Sequence, residues 1–488
     1  MGDWGLRKSR EIARRTASTA APRAESGDTM AFDVEGKRVT VVGAARSGLA
    51  AATLLASRGA HVTLSDAKPD VADADVLRAA GVALELGGHR AETFTSADFL
   101  VMSPGVRPDQ PAVQAARDRG IPILGEVELA SRWLRGRVVA ITGTKGKSTT
   151  TALTGRMLEA AGFAVTVGGN IGQPLSAQVA HSTPDTLHVV ETSSFQLEQI
   201  DTFHPWIAVM LNFSPDHLDR HPSVEAYAAA KARIFENQTA TDWAVVNADD
   251  PSVLELARRG RATKRLFAQR EPIAEGTVIE NGWIVDRRAS GGGRLVPLDA
   301  IHLIGPHLVA DVMAAATVGA IAGAAPEAMT AATEAFGGLE HAMEPAGGIG
   351  GVRFVNDSKA TNVESALRSI ESFDGLDRLD GGLVPIMGGR FKGGDLRLLR
   401  AALASRAKAV VAIGEAQPLI REAFAGAVDV HEAATLEEAV QRAFELARPS
   451  GVVLLAPACA SFDMFRDYAE RGTRFKDEVK RLQMATGG

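Results

Sequence analysis

From residue 37 onward the chain alternates short, nearly continuous apolar runs with longer stretches of helical periodicity, and this alternation predicts parallel sheets covered by helices. Arg38 to Val42 reads as a strand, Gly43 to Gly48 as a turn, the segment through Arg58 as a helix, and His61 to Ser65 as a second strand ending at Asp66. Together these form a βαβ unit. Apolar runs at Phe99 to Met102 and Ile121 to Leu124 extend this first block, which closes near Gly125. A second block begins at Val138, with strands expected at Val138 to Thr142, Leu187 to Glu191, Ile207 to Leu211 and Trp243 to Asn247. Between Glu271 and Pro297, glycine-rich turns and alternating apolar residues (Val278, Trp283, Val285) predict a small antiparallel patch. The glycine-rich passage Gly337 to Gly351 then separates a third block, with strands at Val352 to Asn356, Leu383 to Met387, Ala409 to Ile413 and Val452 to Ala456.

Length agrees with this division, since 488 residues exceed what one core serves. Hydrophobic residues make up 45%, charged residues 23%, and the net charge is -6, a balance that points away from nucleic acid and membrane surfaces. The single cysteine, Cys459, excludes an internal disulfide framework and fits a cytoplasmic location. The most apolar helical stretch, Leu308 to Ala325, carries Asp311 and many small residues, which predicts a packed core helix rather than a membrane span. The first thirty residues are rich in Arg, Ser and Ala and are expected to be a disordered extension, with Met30 a candidate start. Their Arg14-Arg15 pair is followed by no apolar region, so it does not read as an export signal.

Candidate chemistry gathers at the carboxyl ends of the predicted strands, where open α/β sheets bind ligands. Gly143-Thr144-Lys145-Gly146-Lys147-Ser148-Thr149 follows a strand and opens a helix, a setting in which backbone N–H groups cradle phosphates, Lys147 contacts them and Ser148 meets Mg2+. The full phosphate-loop pattern requires glycine where Ile141 stands, so the loop is a shortened version. Glu191 ends the next strand and is placed to complete a Mg2+ site, although a helix-start acid would look the same. His217 follows a further strand, where it reads either as a ligand or as a cap. Lys231, in the predicted helix Val224 to Phe235, reads by itself as a surface charge. In the third block, Asn356 to Asn362 and Pro457 to Ser461 each follow a strand directly. Cys459, with small neighbours and no nearby histidine, reads as a packed thiol rather than a nucleophile.

In their order, these motifs resemble the Mur ligase family over the chain from about Lys37 to Leu482. The resemblance rests on the shortened loop, Gly168-Gly169-Asn170-Ile171-Gly172, Glu191 to Leu197, Asp216 to Arg220, Ala230 to Phe235, Asn356 to Asn362 and Ala458 to Phe465. It implies an α/β protein of three domains: Rossmann-like at 31–125, P-loop ATPase-like at 126–338, and Rossmann-like again at 339–488. The implied reaction is ATP-dependent amide formation between glutamate and a UDP-linked muramoyl-alanine in cytoplasmic peptidoglycan synthesis, by a monomer. Arg46, Ser47, Asp66, Ser103 and Gly105 match positions that hold the uridine end, and Asn170, Ser193 and Gln196 match positions that contact the muramoyl group. The resemblance makes Glu191, His217 and Ser148 ligands of two Mg2+ ions and Lys231 a lysine carbamylated by CO2, an anion in place of a cation. Asp357 and Lys359 then face ATP, while Thr361, Lys392, Ser461 and Tyr468 face glutamate, with His341 at the hinge into the third domain.

Several positions depart from the family pattern. Lys145 replaces a usual Asn; Gly305 to Asp311 lacks two asparagines, at Leu308 and Asp311; and Ala342 replaces an arginine expected near the phosphates. Lys145 or Arg390 is a candidate source of replacement charge. Three rival readings stand beside the ligase. A dinucleotide oxidoreductase is disfavoured by Ala45 in the middle of its glycine fingerprint. A non-catalytic UDP-sugar-binding relative has no need of the metal-site residues. A third reading keeps the enzyme class but changes the substrate, to another Mur ligase or a folate polyglutamate ligase, against which Asn356 to Asn362 and Lys392 with Ser461 favour the glutamate-adding branch; an L-glutamate-specific relative would keep most of these motifs.

Overall fold

The computed structural model describes residues 32–71, 73–217, 220–288, 292–302, 306–373 and 380–486. The expected N-terminal extension, with Met30 and the Arg14-Arg15 pair, lies outside them, as do Leu218, Asp219 and Gly305. Among the described residues, no helix is long and apolar enough to cross a membrane.

Three sheets follow one another along the chain. The first runs β3-β2-β1-β4-β5, from β1 (Arg38–Val42), β2 (His61–Asp66), β3 (Ala83–Leu86), β4 (Phe99–Met102) and β5 (Ile123–Gly125), all parallel. The strand order reverses beside β1, so the loops after β1 and β4 open a crevice at the carboxyl edge. The second sheet contains β6 (Arg137–Thr142), β7 (Ala164–Gly169), β8 (Thr186–Glu191), β9 (Ile207–Met210), β10 (Trp243–Asn247), β11 (Thr263–Phe267), β12 (Gly276–Glu280), β13 (Trp283–Arg287) and β14 (Gly293–Pro297). Its order is β14-β13-β12-β11-β10-β9-β6-β8-β7. The strand carrying the glycine loop, β6, therefore sits between β8 and β9, and all three deliver their loops to one place. The third sheet runs β15-β16-β20-β17-β18-β19, from β15 (Glu344–Ile349), β16 (Val352–Asn356), β17 (Gly382–Gly388), β18 (Ala409–Ile413), β19 (Asp429–Glu432) and β20 (Gly451–Leu455).

The predicted apolar strands form within a residue of their expected bounds, except that the strand expected at Ile121 to Leu124 forms at Ile123–Gly125, and β3, β7, β11 and β19 were not anticipated. The antiparallel patch is no separate unit: β12 joins β11 in parallel through Phe267 and Thr277, so the hairpins extend the central sheet. The glycine-rich passage before the third block is not only a separator, because Glu344–Ile349 within it pairs antiparallel with β16. The helix expected through Phe235 ends as an α-helix at Ala232 and continues as a tighter turn over Arg233–Phe235. The apolar stretch at Leu308 forms a helix, Pro306–Ala322, that packs on the glycine-loop helix Lys147–Ala160 within the largest core cluster.

Candidate active site

Strand β6 ends in Thr142, and the chain then turns through Gly143 to start a helix at Lys147. Gly146 caps this helix with φ of 77°, in the left-handed region that favours glycine. A Cβ there would also stand 2.2 Å from Asp311 Oδ1, so both conformation and space require glycine. Asp311 is buried, and burial raises its carboxyl well above the ordinary value.

Inside the loop two lysines meet. Lys147 Nζ donates to the carbonyls of Gly143 (3.0 Å) and Thr144 (2.8 Å), and Lys231 Nζ donates to the same Gly143 oxygen at 2.6 Å. Lys231 is buried, with its ammonium 4.9 Å from the Tyr227 ring centroid. Burial first, and then the neighbouring Lys147, hold Lys231 well below the usual lysine value. Burial lowers Lys147 as well. Beside them a hydrogen-bonded chain runs from Ser148 Oγ to Glu191 Oε2 (2.7 Å) and from Asn170 Nδ2 to Glu191 Oε1 (2.7 Å). His217 has φ of 55° and a half-exposed ring packed edge-on to Phe195 (5.1 Å) and Tyr227 (6.2 Å).

Tyr227 was not singled out by the sequence reading, yet its ring lies against both His217 and Lys231, and its hydroxyl meets Thr144 Oγ1 at 3.2 Å. Burial pushes that phenol up to about 12. The available signal was its position one helical turn before Lys231. Asn212 is a second such residue: its side chain exchanges hydrogen bonds with the backbone of Lys145, at 2.9 and 3.1 Å, and fixes the exposed flank of the loop.

In the first domain, Arg46, Ser47, Asp66, Ser103 and Gly105 all line one cleft of about 570 Å³, together with Lys68. Asp66 accepts from the N–H of Ala44 (2.6 Å) and of Lys68 (2.8 Å), and Ser103 Oγ donates to Gly43 O (2.9 Å). Arg46 reaches across to Gly172 O (3.1 Å), linking this cleft to the Gly168–Gly172 turn of the central domain. Ser193 and Gln196 form a capping box that starts a short helix, which gives both a local structural role. Gln196 Nε2 is nonetheless buried without a partner, a donor left for something else.

In the third domain, Asp357, Lys359 and Thr361 follow β16, Lys392 follows β17, and Ser461 follows β20, so adjacent strands bring them to one edge. Asp357 is buried against Met343 N and Ser369 Oγ, and burial pushes it up to about 6. His341 is buried with φ of 63°, its Nδ1 3.0 Å from Asn356 Nδ2 and its ring 6.2 Å from Tyr468. Cys459 is buried and its thiol is pushed up to about 12 by burial, in keeping with a packed residue. Arg390, a candidate for replacement charge, is instead held by Glu415 at 2.9 and 3.1 Å. Arg368, from the helix Val363–Glu371, is a third-domain cation within electrostatic reach of Lys145, Lys147, Asp216 and Tyr227, and Lys359 also acts on Lys147.

Residues 37–125 match the Mur ligase MurD-like N-terminal domain, 141–319 the Mur ligase middle domain, and 343–459 the Mur ligase glutamate ligase domain. The chain is 44% identical to the UDP-N-acetylmuramoylalanine–D-glutamate ligase of Koribacter versatilis, over 92% of this chain and 99% of that one. To the ligase of the same name from Acidobacterium capsulatum it is 46% identical, over 92% and 97%. Among solved structures, the UDP-N-acetylmuramate–alanine ligase of Thermotoga maritima aligns with a TM-score of 0.56 at 19% identity, over 92% of this chain and all (100%) of that one. A pseudomurein peptide ligase from Methanothermus fervidus gives 0.55 at 19%, with the same coverage. These last two likenesses concern the fold.

Proposed function

The chain belongs to the Mur ligase family, and on that footing we propose that it joins D-glutamate to the alanyl carboxylate of UDP-N-acetylmuramoyl-L-alanine at the expense of ATP. The observation that carries the reading furthest at the site is the meeting of Lys147 and Lys231 on one carbonyl oxygen, beside the Ser148–Glu191–Asn170 chain. Two ammonium groups converging there repel each other, and the arrangement is relieved by anions: nucleotide phosphates at Lys147 and a carbamate at Lys231.

Carbamylation requires a neutral amine to add to CO2, with release of a proton, and burial together with the neighbouring Lys147 favours that form of Lys231. Among the described residues no three His, Cys, Asp or Glu side chains gather to hold a metal, so a modified Lys231 fits as a missing ligand. Ser148, Glu191, His217 and the carbamate would hold two Mg2+ ions, hard cations suited to oxygen donors, which neutralise charge on the transferring phosphoryl group.

The alanyl carboxylate attacks the γ-phosphorus of ATP, forming an acyl phosphate and releasing ADP. Lys147 exchanges its carbonyl partners for the phosphate oxygens and stabilises their charge. The free amine of glutamate then attacks the acyl carbon, and the tetrahedral intermediate expels phosphate to leave the amide. In this reading the first-domain cleft takes the uridine end, with Arg46, Ser47, Asp66, Ser103 and Gly105; Asn170, Ser193 and Gln196 meet the muramoyl-alanine. The glycine loop with Asp357 and Lys359 binds ATP, while Thr361, Lys392, Ser461 and Tyr468 receive glutamate, and His341 lies at the hinge. The enzyme would work as a monomer in the cytoplasm.

Phosphate release measured with ATP, Mg2+ and UDP-N-acetylmuramoyl-L-alanine tests the proposal, with D-glutamate, L-glutamate or no amino acid added. Release that needs D-glutamate and yields the product mass is expected. Dependence on L-glutamate would move the chain to another branch, and substrate binding without release would leave a non-catalytic protein.

A further inference from the structure

The C-terminal helix, Tyr468–Thr486, places an arginine in its first turn and buries it completely. Two features make this a costly position. A cation in the first turn opposes the helix dipole, and burying a charge that no carboxylate bonds is destabilising, an effect that nearby Asp463 offsets only in part. Among the described residues none of the groups bonded to Arg471 is a carboxylate. Nε donates to Ser358 Oγ (2.9 Å), Nη2 to Ser358 O (2.9 Å), Nη1 and Nη2 to Cys459 O (3.3 Å each), and Nη1 to Gly388 O (3.5 Å). Burial draws the guanidinium down to about 10, which still leaves it charged at neutral pH.

Those acceptors belong to three different loops, each leaving the carboxyl end of a neighbouring strand: Ser358 after β16, Gly388 at the end of β17, and Cys459 after β20. Next along the same loops stand Lys359, then Arg390 and Lys392, and then Ser461. The loops also bond directly to one another: Ala458 N to Ala360 O (2.9 Å), Gly388 N to Pro457 O (2.8 Å), and Arg390 with Ala460 in both directions (2.9 and 3.0 Å). Ser358 Oγ in turn donates to Tyr468 O (2.7 Å), which ties the helix start into the same knot. Ala458 holds φ of 56° within it, a conformation that packing must enforce.

We propose that Arg471 is a positioning residue for the amino-acid half of the reaction: its guanidinium sets the three strand-end loops in one register and supplies a buried positive charge behind the amino-acid cleft. The inference rests on the ligase reading above, with glutamate received between Lys392, Ser461 and Tyr468. An incoming glutamate brings two carboxylates, so a fixed cation behind the loops favours its entry, and the fork geometry of arginine bonds several carbonyls at once where lysine would bond fewer. The muramoyl substrate meets other loops, and of the three loops only the one carrying Asp357 and Lys359 also meets ATP in this reading, so with ATP saturating the first half-reaction depends little on this register.

The test compares the parent with Arg471→Lys, Arg471→Met and Arg471→Ala. The KM for D-glutamate is expected to rise at least tenfold in each variant, least in Arg471→Lys. Acyl-phosphate formation at saturating ATP, trapped as the hydroxamate when hydroxylamine replaces the amino acid, is expected to stay within about threefold of the parent. Added guanidinium ion should restore part of the glutamate affinity of Arg471→Ala and leave the parent unchanged. Glutamate KM values within twofold of the parent, or hydroxamate formation falling in step with ligation, would overturn the proposal. Should Arg471→Met and Arg471→Ala fail to fold, Arg471→Lys alone decides by the same two readouts. A parent that shows no D-glutamate-dependent phosphate release would instead sink the ligase reading itself.

Discussion

The glycine loop of the central domain and the strand-end loops of the third domain handle buried positive charge in opposite ways. At the glycine loop, Lys147 and Lys231 are both directed at one carbonyl, and burial lowers the affinity of each for its proton. At the third domain, the charge of Arg471 is spread over carbonyls and a hydroxyl from three loops, every bond internal to the protein. The first arrangement is unsettled without ligands and suits a polyanion that arrives to complete it. The second is settled in advance and suits a small zwitterion whose recognition depends on geometry. Preorganisation and stored electrostatic need are thus divided between the two halves of the reaction.

The strongest way to break this contrast is to remove the unsettled lysine. Lys231→Met should lower D-glutamate-dependent phosphate release by on the order of a thousandfold, the scale of losing a main electrostatic group in a site. Acetate or formate should restore part of the rate by supplying a carboxylate in the vacated space. In the parent, 13C-labelled bicarbonate should give a carbamate signal that the variant lacks. Activity of Lys231→Met within tenfold of the parent would mean that the two lysines merely pack together.

A smaller effect sharpens the contrast from the third-domain side. Ala342 leaves the nucleotide short of an arginine that the family pattern expects, and Arg390 is engaged by Glu415. Arg368, although paired with Glu364 on its own helix, lies within electrostatic reach of Lys145, Lys147 and Asp216, and it is only partly exposed. Arg368→Ala is predicted to raise the KM for ATP about tenfold, the loss of one charge-assisted contact, while leaving the KM for glutamate unchanged. This is the reverse of the pattern expected for Arg471, and an equal rise in both constants would show that the two regions are not separable.

How much of this was legible in the sequence follows from where each residue is buried. Strands β4 and β18 lie inside their sheets, carry unbroken apolar runs, and were readable to the residue, as was β1, whose valines are interrupted only by buried Thr40. Strands β3, β7, β15 and β19 are sheet edges. An edge needs less apolar surface, so Glu344–Ile349 tolerates Pro345 and two glycines, and Asp429–Glu432 is polar at every position but Val430. Lys147 and Glu191 could be singled out because their motifs follow strands, and Lys231 only through the family resemblance, since by itself it reads as a surface charge. Tyr227 and Arg471 were not: an aromatic in a small-residue helix reads as core, and an arginine in a charged C-terminal helix reads as surface. Nothing local announces that Arg471 turns inward, since its partners come from Ser358, Gly388 and Cys459, far away along the chain.

The smallest predicted effect concerns Asp311, beneath Gly146, where the family pattern expects an amide. Its Oδ2 is buried without a partner, as are the hydroxyls of Thr151 and Thr154 on the adjoining helix. Burial favours the protonated carboxyl, so the folded value lies well above 3.8, and the Thr150 hydroxyl and then Lys147 offset only part of that shift. Between 3.8 and the raised value the folded chain holds a proton that the unfolded chain has released, so stability is greatest below about pH 3.8 and is lost as pH rises toward the folded value. Asn cannot ionise and pays no such penalty. Asp311→Asn should therefore raise the melting temperature of the central domain at pH 8 by about 2–4 °C, what roughly 1 kcal/mol produces in a domain of this size, and the gain should shrink as the pH is lowered toward 5. The KM for ATP should stay within about threefold, because an amide fills the same space under the loop. A gain of equal size at both pH values would assign it to packing, and a loss at pH 8 would mean that the carboxylate is ionised in the folded protein and held there by Lys147.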